Sequence, residues 1–241
     1  MMVPFESTVQ YKKTSKQLNR PKQERTQKRM GQVIVATEEL LLKVGIEKIS
    51  IPEVAITADV PRASIYQFFP TKYDLLNYIA ISHLNDLIDQ LRHEAMQVFS
   101  VNPNQQIESY GRLLTSAMIK ATAQFLNESK IATLLILSAG ATQDNYLEYQ
   151  VELRKVSFAI RQALQAIHLD DYVPRYPDTL TILIELIFTC MKHGYYTENY
   201  ISDAICQEAY RVAIGYLTAL KNNSFIMKKD EKLKERISQK D

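Results

Sequence analysis

The sequence predicts an all-α fold, and three observations carry that prediction. Apolar residues recur at helical spacing through almost every long segment. Helix breakers are scarce, with 6 glycines and 8 prolines among 241 residues. No stretch alternates apolar and polar residues in the way a half-buried strand does.

Taken in order, the elements begin after a basic leader. Val33, Ala36, Leu40, Leu41 and Val44 share one face of a first helix, and Gly45 with apolar Ile46 behind it supplies a C-terminal stop. Ser50-Ile51-Pro52-Glu53 is a capping box that opens a second helix, with Ser50 at the N-cap and Pro52 tolerated in the first turn. Val54 and Ala55 turn inward. Ala58-Asp59-Val60 breaks the pattern, Pro61 fixes a new start, and a short third helix runs from Arg62 to about Gln67. After Pro70, Thr71-Lys72-Tyr73-Asp74 is a second capping signal. The fourth helix then carries Leu76, Ile79, Ala80, His83, Leu84, Leu87 and Leu91 on one stripe, and it reaches about Phe99, ahead of Pro103. Five more helices are expected over 105–127, 129–138, 143–168, 178–196 and 201–220, with a loop over 170–177 that holds Pro174 and Pro177.

Composition excludes several classes of function. Two cysteines, Cys190 and Cys206, cannot make a disulfide scaffold or a zinc finger, and they suggest a reducing compartment. Met1 to Glu6 lead into no apolar stretch, so no signal peptide is expected. The longest apolar runs, Ile131 to Ala141 and Leu180 to Met191, fall short of the roughly 20 residues of a membrane span. A cytoplasmic protein is the expectation. The formal net charge of +2 hides an asymmetry: residues 1–80 carry 12 Lys and Arg against 8 Asp and Glu, whereas residues 81–220 carry 10 against 15. A basic end on a mildly acidic body suits a polyanion bound at one end. In isolation the leader also reads as a solvated arm. The tail over 221–241 mixes both signs and reads as solvating.

Ser50 to Gln67 reads as helix, tight turn, helix, which is helix-turn-helix geometry. The second helix of such a pair enters a major groove when its leading side chains are small or hydrogen-bonding. Arg62 can read guanine bidentately, Ala63 can touch a thymine methyl, and Ser64 and Gln67 can bond base edges or phosphates. Tyr66 and Lys72 suit phosphate oxygens on either side. An ordinary helical hairpin of a bundle core is the competing reading, and Ile65, Phe68 and Phe69 are core on either view.

Over Ile34 to Leu76 the chain resembles the DNA-binding head of TetR-type (tetracycline-repressor-like) bacterial regulators. The residues that carry this are Gly45, then Ser50-Ile51-Pro52-Glu53-Val54-Ala55-Ile56-Thr57-Ala58-Asp59-Val60, then Tyr66-Gln67-Phe68-Phe69-Pro70-Thr71-Lys72-Tyr73-Asp74-Leu75-Leu76. Two positions depart from the pattern. Asp59 stands where the family usually has Gly, and Asp tolerates the left-handed region better than most residues. Pro61 stands where the family often has Ser, so it brings neither a side-chain cap nor an N–H for a phosphate. Arg62 is the candidate compensation. The resemblance implies a homodimeric repressor of a palindromic operator. It gives the basic residues before the first helix a role at the adjacent groove or backbone. The DNA-facing set is therefore read as Arg25, Arg29, Ser50, Ile51, Pro61, Arg62, Ala63, Ser64, Tyr66, Gln67 and Lys72, with Lys12 to Arg20 unassigned.

The remaining candidates are weaker. His83, His93, His168 and His193 are scattered, no nucleophile elbow, P-loop or dinucleotide fingerprint is present, and neither an enzyme nor a metal or cofactor is expected. Both cysteines read as small buried hydrophobes. Glu185, interrupting an apolar helix, is either a pocket acid or an edge residue. A small, mostly apolar effector is expected in the C-terminal domain, against His83, Leu87, Tyr110, Met118, Phe125, Tyr146 and Phe158. These also read as plain core. The resemblance places a dimer interface on the last two helices, with Ile184, Phe188, Val212 and Tyr216. The expected organisation is an arm over 1–23, a head over 24–84, a sensing and dimerising domain over 85–222 and a charged tail over 223–241. A helical scaffold without sequence-specific DNA binding is the alternative.

Overall fold

The computed structural model describes residues 24–101, 107–137, 143–166 and 173–238. Among them nine helices form: α1 (Glu24–Lys48), α2 (Ile51–Thr57), α3 (Arg62–Phe68), α4 (Lys72–Val101), α5 (Ile107–Glu128), α6 (Lys130–Leu137), α7 (Gln143–Ala166), α8 (Thr179–Glu198) and α9 (Asp203–Ser238). The all-α expectation is met. The leader from Lys12 to Arg20, Pro103, His168 and the start of the 170–177 loop lie outside the described residues.

The chain separates into two compact units, Met1–Lys72 and Tyr73–Asp241. The boundary expected after residue 84 lies inside α4. In the first unit α1 buries Met30, Val33, Ala36, Thr37 and Leu41. The face read from sequence drifts at its end, since Leu40 is half-buried and Val44 exposed. Gly45 sits at φ 78, ψ 171 and bends α1, so its last turn points away from the preceding axis. That backbone region is open essentially to glycine alone. From α2 the core receives Ile51, Val54 and Ala55, and from α3 Ile65, with Phe69 wholly buried just beyond.

The second unit packs α8 against α7 and α9, and α5 against α6 and α9. One apolar cluster joins Ile119 and Leu126 of α5, Ile136 of α6, Met191 of α8 and Ala209 and Ala213 of α9. Another joins Leu84, Leu87 and Leu91 of α4, Leu153 and Val156 of α7 and Ile184 of α8. Phe125 and Phe188 pack against both. Polar straps hold the ends. The Asn127 side chain donates to Ile201 O (3.0 Å) and accepts from Ile201 N–H (2.9 Å), tying α5 to the α8–α9 turn. Arg161 donates to Val173 O and Pro174 O, closing the described part of the loop onto α7. Asn199 ends α8 at φ 56, with its N–H on Tyr195 O.

The tail needs a correction. The helix expected to stop at 220 continues as α9 to Ser238, because lysines and other helix formers are frequent there and no Gly or Pro interrupts them.

Two glycines give contrasting tests. A Cβ at Gly194 would meet Ile205 Cγ1 at 2.6 Å, where α8 and α9 approach most closely. Gly194→Ala is expected to cost about 1–3 kcal/mol through overpacking. Gly45→Ala, in open space but at positive φ, is expected to cost about 1–3 kcal/mol through backbone strain alone. Urea denaturation followed by circular dichroism checks both.

Candidate nucleic-acid interface and ligand cavity

The head is assembled from helix ends. Ser50, in extended backbone, caps α2: its Oγ accepts the Glu53 N–H at 3.4 Å and its hydroxyl donates to Glu53 Oε2 at 2.8 Å. The N-cap half of the capping box read from sequence is therefore made, while the Glu53 carboxylate accepts from the Ser50 hydroxyl in place of the Ser50 backbone N–H. After α2 the Val60 N–H bonds Ala55 O at 3.1 Å and Asp59 adopts φ 51, which reverses the chain. Aspartate is one of the few residues other than glycine suited to that region. Pro61 caps α3 with no side-chain bond, as its chemistry requires, and its carbonyl accepts the Ser64 N–H at 2.9 Å.

This leaves one face of α3 open. Arg62, Ala63, Tyr66 and Gln67 are exposed together with Pro61, Ser64 is half-buried, and Ile65 anchors the opposite side. The exposed positions fall at i, i+1, i+4 and i+5, which is one helical stripe. Arg29 is exposed on α1, and Arg25 lies in its first turn. Ile51 is a correction: it is 4% exposed and belongs to the core, because the first apolar residue after the cap turns inward.

Lys72 was read as a phosphate ligand. Its ammonium donates to Ile46 O at 3.2 Å and Glu47 O at 2.8 Å, the carbonyls of the α1 turn beyond Gly45. A cation at the C-terminal end of a helix satisfies both the orphan carbonyls and the dipole. Sequence reasoning missed this strap because its partners stand some 25 residues away.

The second unit holds a partly open cavity of about 80 Å³. Its wall includes Leu87 and Leu91 of α4, Leu114 and Met118 of α5, Val156 and Ile160 of α7, Ile184 and Phe188 of α8 and Leu217 of α9. Two expected ligand residues, Leu87 and Met118, are in that wall. The other five are corrections. Tyr110 is buried elsewhere, its hydroxyl donating to Val98 O at 3.0 Å. Phe125 fills the core between the two apolar clusters. His83 is half-buried outside the wall, and Tyr146 and Phe158 are exposed, because the faces of α4 and α7 that carry them point away from it.

The expected dimer residues divide similarly. Ile184 and Phe188 line the cavity, so they close the protomer and offer no outer face. Val212 and Tyr216 are half-buried, and Tyr216 packs against the core. The exposed stripe of α8 instead runs through Leu186, Thr189, His193 and Tyr196, and that of α9 through Gln207, Arg211, Gly215 and Thr218. The period was readable in sequence. Which phase of two broadly apolar helices turns outward was set by packing.

Glu185 proves to be a half-buried edge acid. Its Oε1 accepts from the Tyr146 hydroxyl at 3.0 Å and from Gln150 Nε2, joining α7 to α8. The desolvated Tyr149 phenol, donating to Ile136 O, is held well above the usual tyrosine range by burial and by the nearby Glu185 charge. Burial also pushes the Cys190 and Cys206 thiols up, with Glu208 and Asp203 adding to it, which suits inert core cysteines. Among the described residues no His, Cys, Asp and Glu cluster is arranged to hold a metal ion.

Residues 33–79 match the family model for bacterial regulatory proteins of the tetR family. The chain is TetR-type in its head and in its fold. A TetR-family transcriptional regulator from Streptomyces coelicolor superposes with a TM-score of 0.54 at 18% identity, over 80% of this chain and 99% of that one. The fatty acid degradation regulator FadR from Bacillus halodurans gives 0.50 at 17% identity, over 78% and 94%. SmeT, solved as a complex with triclosan, gives 0.50 at 16% identity, over 79% and 90%. A comparison of the sequence with curated proteins finds no match. The family match covers the head, and the structural neighbours share the fold of the chain. Among the described residues no helix is long and apolar enough to cross a membrane.

Two substitutions separate base reading from scaffolding in the TetR-type head. On a duplex selected for binding, Arg62→Ala is expected to cost about 1–3 kcal/mol per half-site and to relax choice at one base position. Lys72→Gln is expected to weaken binding with an unchanged salt slope if the strap is its role, and to lower the slope by about one per site if it neutralises a phosphate. Fluorescence anisotropy across a salt series reads both.

Proposed function

We propose that this TetR-type regulator is a homodimeric repressor that binds a palindromic operator and is released from it by a small apolar ligand. It works in the cytoplasm, where operator DNA lies. The observation that carries the proposal is the continuity of α4. One unbroken helix begins at Lys72, strapped to the end of α1, and goes on to supply Leu87 and Leu91 to the cavity wall. A ligand that displaces those leucines moves a rigid rod whose first residue belongs to the head. Two heads joined in a dimer dock only at one spacing, so a small displacement suffices.

Pairing follows from information content. One α3 offers four or five side chains and reads a few base pairs, too few for a genomic address, and two-fold pairing doubles the site. The exposed stripes of α8 and α9 are the faces assigned to that pairing. Gly215, around which an added Cβ would meet nothing, permits a second helix to come close. The triclosan bound to SmeT supports a ligand role for this fold.

The direct test titrates a thermal-shift hit into the protein–operator complex. A tenfold loss of operator affinity corresponds to about 1.4 kcal/mol of coupling, and by reciprocity the operator weakens the ligand equally. Equal ligand affinity with and without operator contradicts the proposal. Leu186→Glu combined with Gly215→Glu is expected to give a folded monomer in light scattering, with operator binding largely lost. Both positions are outside the core, so folding is spared.

A further inference from the structure

The cavity wall is almost entirely carbon. Among the described residues that line it, Thr115 and Thr122 alone carry a side-chain hydroxyl or other nitrogen or oxygen atom. Each hydroxyl is turned back on its own helix, donating at 2.8 Å to Gly111 O and Met118 O respectively. The wall therefore offers a guest no cation, no anion and no free side-chain donor. The nearest acid along α8 does not change this, since Glu185 is outside the wall and its carboxylate accepts from Tyr146 and Gln150. A carboxylate or ammonium moved into such a site loses its hydration with nothing to replace it. A neutral hydroxyl fares better, because each threonine oxygen keeps lone pairs with which to accept.

Resting on the reading of this cavity as the effector site, we infer that it selects an uncharged, hydrocarbon-rich molecule and rejects the ionised form of the same skeleton. The partly open space of about 80 Å³ favours a slender chain or a single small ring. Met118, with its flexible thioether, is the wall residue best able to adapt to the guest. The selectivity lies in what the wall lacks: the hydroxyls of its two threonines are already spent within their own helix.

The experiment is calorimetry on the full chain with octanol, octanoate and octylammonium, chosen because they share a chain and differ in head group. Octanol is expected to bind, and both ions to bind at least about tenfold more weakly at neutral pH. If only the uncharged acid enters, its apparent affinity follows its protonated fraction. It should therefore rise about tenfold per pH unit between about pH 7 and pH 5, above the ordinary carboxyl range, while octanol stays constant. Leu217→Trp, which fills the wall from α9, is expected to abolish octanol binding, and its single tryptophan reports that the chain remains folded. Thr115→Lys is expected to reverse the preference towards octanoate.

Octanoate bound as tightly as octanol and without pH dependence overturns the inference, as does octanol binding that survives Leu217→Trp or is absent in the wild type. The effector reading fails separately: the expected selectivity and Leu217→Trp sensitivity, with operator affinity untouched by octanol, leaves the inference standing and removes the regulatory role.

Discussion

Presentation of α3 depends on how backbone polar groups are met at the ends of α1, α2 and α3. Each helix end leaves N–H or C=O groups without intrahelical partners, and burial without partners is costly. In the head these groups are met locally. Ser50 and Glu53 close the start of α2, Asp59 turns the chain with Val60 bonded back to Ala55, and Lys72 gathers the carbonyls of Ile46 and Glu47. With those ends fixed, Ile65 and Phe69 can be sunk completely, and α3 keeps a single orientation. The outward stripe of Arg62, Ala63, Tyr66 and Gln67 follows from that anchoring.

Local chemistry of this kind is legible in a sequence, which is why the head could be read closely. The capping box, the stop at Gly45, the left-handed corner at Asp59 and the uncapped start at Pro61 are each decided by one or two neighbouring residues. Ile51 was misassigned because a position next to a cap resembles a surface position until its helical phase is fixed. The strap made by Lys72 is hidden in the sequence because its partners are close only in space. In the second unit the helices are visible from their period, yet α8 is broadly apolar. Ile184 could be given to a partner or to the protomer with equal force, and packing gave it to the cavity. The hydroxyls and rings expected to orient a ligand were chosen for their chemistry. Tyr110 and Tyr146 spend theirs on Val98 and Glu185 instead.

The two units show different physical strategies for holding function. The head exposes charge and hydrogen-bonding groups on a rigid face, where phosphate and base edges supply the partners. The second unit hides a dry space behind aliphatic side chains, whose occupation changes shape rather than charge. Helix α4 is common to both by chain continuity. Among the described residues of the cavity wall none is ionisable.

The central claim is that the α3 stripe reads DNA sequence through a paired head. Selection of bound duplexes from a random pool with the full-length protein tests it most directly. The account predicts enrichment of two inverted half-sites whose centres are separated by a fixed spacing of about one helical turn. Recovery of the input pool without enrichment, or of single half-sites bound as well as pairs, would contradict it.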